Sequence, residues 1–481
     1  MGNGLVTIVL AAWVPVVVIL FRAIGPRRAA LIAVIGGLLF LPRISLVVRS
    51  IPFDKRTVTG LGLILAVALF GRRDLVRARP RWLDLPIVAF ALAPLVGLVT
   101  GVPGSGADIF NLAIERMLGW VVPYAVGRLY FGDAEGARQV AVAIVLGGLA
   151  YIPLCVFEEI AGPGRYLSGW LYGTEYLAGM VDRLGGWRPE AFLTSGLEVA
   201  SWMALATVTA AWLWLGAAWR VRGVPAWAPA LALALTTLSC RGVYGYLTMT
   251  LGLATAFATR FLRTRAVLVA LALLNLGYIG LRLSGTWDGA ALARWASATG
   301  RAGTVTYRLD AEDQVIRKVV TRDLAFGFGN YIWHGDLSRW PDGLWLHHLW
   351  NGGLVGLVAT MGALHLVPAT LTILRPRGRP TRSEASSPSW GLAGWSLLLM
   401  ADELHNTHYF FPLGLIAGSL VGPSPGSGGA ATGHARYSIG SPATRAGREP
   451  PGRRAFRLVV LACLLAIPEL VALAFRLLGP G

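Results

Sequence analysis

Charge is scarce in this chain of 481 residues: Asp, Glu, Lys and Arg together make 14% of it, against 55% apolar residues. Soluble globular domains carry about 25% charged residues, so a water-exposed globule is excluded. Cysteine is scarcer still. Cys155, Cys240 and Cys463 are scattered among apolar stretches, which leaves no disulfide framework and no CxxC metal site. The centres of the apolar stretches are nearly free of acids, the usual mark of a proton-coupled transporter. Ten-residue alternation is missing too, which excludes a membrane β-barrel. The first apolar stretch lacks a basic lead-in and a small-residue cleavage site, so it is read as a retained helix.

What is present is a series of long apolar runs. They lie at roughly 4–21, 29–48, 57–70, 83–100, 111–131, 139–160, 194–219, 226–240, 243–260, 266–283, 346–374, 388–402, 409–421 and 457–478. The pattern predicts an all-α fold, a polytopic integral membrane helical bundle of about 12–14 spans. The stretches at 57–70, 388–402 and 409–421 are shorter than the roughly 20 residues of a perpendicular span, so tilted, broken or re-entrant helices are expected there.

Lys and Arg in short loops set the orientation. Arg72, Arg73, Arg77, Arg79 and Arg81, then Arg260, Arg263 and Arg265, then Arg375, Arg377, Arg379 and Arg382 all fall on one face if the spans alternate. The opposite short loops at 101–110 and 402–408 contain neither residue. The first face is therefore assigned to the cytoplasm, and 284–345 becomes one large extracytoplasmic loop, with a smaller outer loop at 162–193. Arg49, Lys55 and Arg56 form the one short loop that disagrees. Topology anchoring beside anionic lipid headgroups accounts for most of the net charge of +18, and no nucleic acid is expected as a partner.

The expected organisation is a first transmembrane part at 1–283, the loop at 284–345, and a second transmembrane part at 346–421. A Gly-, Ser- and Pro-rich stretch at 422–456 is too poor in apolar residues to fold, and reads as a disordered cytoplasmic linker to a terminal helix at 457–481.

Inside the large loop, residues 306–326 read as an amphipathic helix. Leu309, Ile316, Val319, Val320 and Leu324 make an apolar stripe, while Arg308–Glu312 and Asp313–Arg317 are opposite charges four residues apart. Glycines at 327 and 329 end it. Asp310, Glu312 and Asp313 have the oxygen chemistry of a hard-cation site, but arginines along the same helix favour an ion-paired face, and no metal is expected.

Three short motifs carry a resemblance. They are Thr306-Tyr-Arg308-Leu-Asp310 through Ala325-Phe-Gly327-Phe-Gly329, Asp342-Gly343-Leu-Trp345 through Gly352-Gly353-Leu-Val-Gly356, and, at the end of an earlier span, Ser239-Cys240-Arg241-Gly242. Together they are similar to the loop helix, the following span opening and the Ser-Arg-Gly of the O-antigen ligase and polymerase superfamily of membrane glycosyltransferases, over roughly residues 60–420. Asp342 stands where many members carry histidine. The resemblance implies metal-independent, inverting transfer of a glycan from a polyprenyl diphosphate lipid to a hydroxyl of a lipid or glycan acceptor, without a cofactor, at the outer face of a bacterial inner (cytoplasmic) membrane.

Such chemistry asks for fixed cations on the departing diphosphate and a positioned base. Arginine suits the first because its planar fork donates bidentately to phosphate. Arg188, Arg241 and Arg308 are the diphosphate candidates carried by this reading. Asp342 ranks first as base, followed by His347 and His334. The bland alternatives are snorkelling for Arg188, an ion pair with Glu312 for Arg308, and interfacial packing for the histidines. The expected activity is ligase-like, with a polymerase as the alternative. A multi-span transporter or lipid flippase is the rival from another class. Asp402, His405, Asn406 and His408 form a further polar cluster that either lines the same cavity or is simply a loop.

Overall fold

The structure, a computed structural model, describes residues 2–48, 51–77, 81–100, 106–162, 166–173, 185–219, 223–297, 302–329, 337, 341–374 and 380–422. His334, nearly all of the 422–456 linker and the 457–481 helix lie outside the described residues. The chain is an all-α, multi-pass membrane protein. Six helices among the described residues are long and apolar enough to cross a membrane: Gly4–Ile24, Ile109–Tyr130, Ala134–Ala161, Gly196–Leu215, Ala266–Leu283 and Leu344–Leu374. Trp82–Val96, Ala228–Ser239 and Pro412–Val421 are apolar but shorter.

Local chemistry sets the helix starts. Asp133 and Ser195 accept from the backbone N–H of Gly136 and Glu198, and Ser387 caps a helix that opens with Pro388. Gly196–Leu215 is the central element, buried on nearly every face, and its Trp202 and Trp212 anchor the main core. That core joins residues of the first and second expected transmembrane parts, from Val17 to Val421. Where there is little hydrophobic drive between helices, small residues let backbones approach. Accordingly Gly127 lies against the Leu415 carbonyl and Gly418 against that of Tyr124, so any side chain there would collide with backbone.

The span expected at 29–48 is corrected. Its helix ends at Phe40, because Pro42 forces Leu41 into extended geometry (φ −79°, ψ 152°). An antiparallel hairpin, Leu46–Val48 with Ile51–Phe53, follows. The basic loop at odds with the orientation rule lies in the same place, with Arg49 outside the described residues. Lys55 is buried and donates to the Leu38 carbonyl, and Arg56 pairs with Asp54 and Glu115. Charges neutralised inside a fold are poor topology signals.

The expected loop helix forms as Ala302–Arg322. Its buried stripe is Leu309, Ala311, Val315, Ile316 and Val319; the expected Val320 and Leu324 are exposed. The stripe packs on Ile279, Trp345, Leu346, Leu349 and Trp350. The expected pairs Arg308–Glu312 and Asp313–Arg317 are also corrected: Arg308 pairs with Asp342, and Glu312 and Asp313 both pair with Arg282. A buried arginine on a neighbouring helix outcompetes a solvent-exposed pairing along one helix, because its charge has no other solvation.

The glycine turn after this helix locks into the next one. Gly353 (φ 58°, ψ −155°) breaks the Leu344–Met361 helix, and Phe328 donates its N–H to the Trp350 carbonyl at 2.7 Å. Leu354 and Val355 donate back to the carbonyls of Leu324 and Ala325. A Cβ on Gly353 would stand 2.4 Å from the Ala325 carbonyl carbon, and one on Gly327 2.3 Å from the Trp350 oxygen. Gly353→Ala is therefore expected to cost about 1–3 kcal/mol, whereas Gly352→Ala, with nothing within 4 Å, should be neutral. Thermal melting of the detergent-solubilised pair checks this; equal melting temperatures would contradict the interlock.

Candidate functional site

The residues that meet under the loop helix come from five elements. Arg308 and Glu312 sit one turn apart on Ala302–Arg322, Tyr244 in the first turn of Val243–Leu262, and Tyr278 and Arg282 near the end of Ala266–Leu283. Asp342 precedes the kinked helix, and His405 lies on the connection between Pro388–Glu403 and Pro412–Val421.

Arg308 donates through Nε to Asp342 Oδ2 at 2.9 Å, and its guanidinium carbon is 5.0 Å from the centroid of the Tyr244 ring. Burial by itself would weaken its hold on its proton, yet Tyr244 and Asp342 together raise that hold above the ordinary level. The guanidinium is thus locked as a cation, with a planar face on tyrosine and an edge on carboxylate. Asp342 remains partly open, and Thr407 Oγ1 donates to its backbone carbonyl.

Glu312 is the deepest charge of the site. Arg282 Nε donates to its Oε2 at 2.9 Å, and the Tyr278 hydroxyl lies 3.0 Å from both carboxylate oxygens. Arg282 also donates to Asp313 Oδ1 and to the carbonyl of Leu309. Burial pushes the Glu312 carboxyl up to about 7, against the pull of Arg282 and Tyr278 in the opposite direction. His405 completes the cluster. Its Nδ1 is 3.9 Å from Glu312 Oε1, and its ring lies between Tyr278 (5.2 Å) and Tyr244 (5.7 Å). Burial first, then the fields of Arg308 and Arg282, push the imidazole down to about 4, so it is neutral at physiological pH.

The expected site residues therefore divide. Arg308 and Asp342 are brought into direct contact. Arg188 and Arg241 also meet, but each binds backbone: Arg188 donates to the Arg241 carbonyl at 3.1 Å, and Arg241 to the Trp187 carbonyl at 2.7 Å. Arg241 itself holds φ 52°, a left-handed conformation costing a non-glycine residue about 1–2 kcal/mol. This pair clamps the segment before Gly196 to the turn before Val243, one turn from Tyr244. The same segment is held by acids: Glu158 accepts from the N–H groups of Leu167, Glu190 and Ala191. His347 Nε2 is 3.2 Å from the Pro341 carbonyl, which ties it to the stretch carrying Asp342.

Sequence reading passed over Tyr244, Tyr278 and Arg282. An arginine in the last turn of an apolar span was a signal, since such a charge is costly unless partnered. The Asp402 cluster is resolved into two parts. His405 faces the site, while Asp402 is buried with Ser201, Asn406 and His408, its Oδ2 3.3 Å from His408 Nε2.

A second buried network lies beyond that connection. His365 bridges Glu403 (3.1 Å) and the Ser396 carbonyl (2.9 Å), and sits on a π-helical turn, Gly362–Leu366. Arg116 donates to the Phe90 carbonyl and covers its ring, and Arg56 covers Tyr409. Among the described residues no group of His, Cys, Asp and Glu is arranged to hold a metal ion. No protein-family model and no curated protein matches the chain.

The Glu312 carboxyl holds its proton up to about 7 in the fold, against 4.5 for the free side chain. The stability this contributes is complete below pH 4.5 and is lost as pH rises through 7. The melting temperature in detergent should fall across that window, and Glu312→Gln should flatten the fall. An unchanged slope in the variant would assign it to another group.

Proposed function

We propose that this protein is a membrane glycosyltransferase of the O-antigen ligase kind, moving a glycan from a polyprenyl diphosphate lipid to an acceptor hydroxyl. The observation that carries the reading is Arg308: a half-buried, permanently charged guanidinium fixed by Tyr244 and Asp342 at the ends of several apolar helices. A diphosphate arriving from the bilayer would exchange with Asp342 for the same fork. The charge that grows on the leaving group as the anomeric C–O bond breaks would then meet a cation already in place. In this reading the Arg308 end of the bundle faces outward, as the arginine-rich short loops at the opposite ends favour, in a bacterial inner membrane. The Arg188–Arg241 clamp holds the rim beside Tyr244, so its part is to shape the site rather than to contact phosphate first.

A second reading draws on the His365–Glu403 pair. An ionisable pair wholly inside a helical bundle is the usual equipment of proton-coupled transport, and a solute moved by proteoliposomes without any lipid-linked donor would favour it.

The purified protein in nanodiscs, given a polyprenyl diphosphate oligosaccharide and a hydroxyl acceptor, should release diphosphate lipid. Arg308→Ala should reduce that release by about 100-fold or more, and Arg308→Lys should recover little, because a point charge cannot reproduce the fork. Full activity in Arg308→Ala at unchanged melting temperature would remove the diphosphate clamp.

A further inference from the structure

Transfer to a hydroxyl needs a proton acceptor, and Asp342, whose side chain is 42% exposed, would turn to water once the donor displaces it from Arg308. Resting on the transfer reading above, we propose that His405 is the catalytic proton acceptor and that Glu312 is the positioning residue behind it.

Access separates the two roles. The Glu312 side chain is 3% exposed and the His405 side chain 20%, so a substrate can reach the imidazole but not the carboxylate. His405 Nδ1 faces Glu312 Oε1 across 3.9 Å, which puts Nε2 on the opposite side of the ring as the basic atom. The gap is longer than a hydrogen bond in the resting site, and an imidazolium would be drawn across it.

Tyr244 fixes the relation to the donor. The Arg308 guanidinium lies on its ring, and the His405 ring packs against it at 5.7 Å between centroids. A diphosphate on Arg308 and a hydroxyl on His405 would thus be neighbours across one tyrosine, with the anomeric carbon between them. The groups facing the His405–Glu312 pair are Arg282 and Tyr278 on one span, Arg308 and Asp313 on the loop helix, and Tyr244.

The step balances without a metal. Nε2 takes the hydroxyl proton while the acceptor oxygen bonds to the anomeric carbon. The bond from that carbon to the diphosphate oxygen breaks, and its electron pair leaves with the diphosphate. The new imidazolium lies beside the Glu312 carboxylate, an arrangement that stabilises it as the acid of a catalytic triad does. Burial, and after it the fields of Arg308 and Arg282, keep His405 neutral before substrate binds; a diphosphate on Arg308 opposes that part of the field, so the base strengthens when the donor is present.

The full-length protein in nanodiscs provides the test, with a fluorescent oligosaccharide on polyprenyl diphosphate as donor and an amphiphilic alcohol as acceptor. His405→Gln and His405→Ala should lower kcat by about 100-fold or more while leaving the donor KM within about threefold. Glu312→Gln should lower kcat by about tenfold and abolish the acid limb of the pH profile near 7. In a His405→Gly variant that still binds donor, added imidazole should restore turnover. Histidine variants within about threefold of the wild-type rate, beside an inactive Arg308→Ala, would overturn this assignment and leave the transfer reading standing. Donor-binding His405→Gly that imidazole fails to rescue would also count against it. Wild-type protein that never releases diphosphate would overturn both.

Discussion

The pairing of Arg282 with Glu312 determines how the loop helix sits on the bundle. Arg282 ends an apolar span and is almost wholly buried, so its charge must be met by protein. Glu312, Asp313, the Leu309 carbonyl and the Trp287 carbonyl all accept from it. Binding Glu312 inward fixes the rotation of the helix about its own axis. Arg308, one turn earlier, is then carried to the inner face, where Tyr244 and Asp342 receive it. The far end of the helix is held by a different device, the mutual backbone hydrogen bonds around Gly327 and Gly353. Charge sets the azimuth at one end and steric fit sets the depth at the other.

The same economy of charge recurs elsewhere. With few ionisable residues and little water to solvate them, almost every buried one has a specific task. Glu158 and Glu198 hold loop N–H groups, Arg43 holds Glu190, and Lys55 holds a helix carbonyl. Arg308 differs from these because its partners, a partly open carboxylate and a ring face, can be exchanged for a ligand without leaving a buried group unsatisfied. Removing Asp342 from it by competition costs little, since that carboxylate can turn to water.

Two functional possibilities therefore occupy two sides of one short connection. On the side of His405 lie the arginines and tyrosines of the proposed transfer site. On the side of Glu403 and Tyr409 lie the His365 pair and the Arg56 and Arg116 groups. Both networks join separate helices through polar contacts, so this connection links the packing of the bundle interior to the geometry beneath the loop helix.

Much of this protein was legible in its residues. Long apolar runs with polar breaks dictate helices, because a backbone in lipid must satisfy its own hydrogen bonds. The amphipathic period at 306–326 and the glycines behind it announce a helix, which the fold forms at Ala302–Arg322, and the candidate residues Arg308 and Asp342 could be named from their motifs. What the residues left open was pairing. Arg308 has an acid four positions away on its own helix, and nothing local says that Asp342 takes it instead. Tyr244, Tyr278, Arg282 and His405 are separated by up to 161 positions, and their convergence depends on which helices pack together. Propensity and periodicity act over a few residues, whereas the cost of burying a charge is settled only by whichever partner the tertiary packing brings within reach.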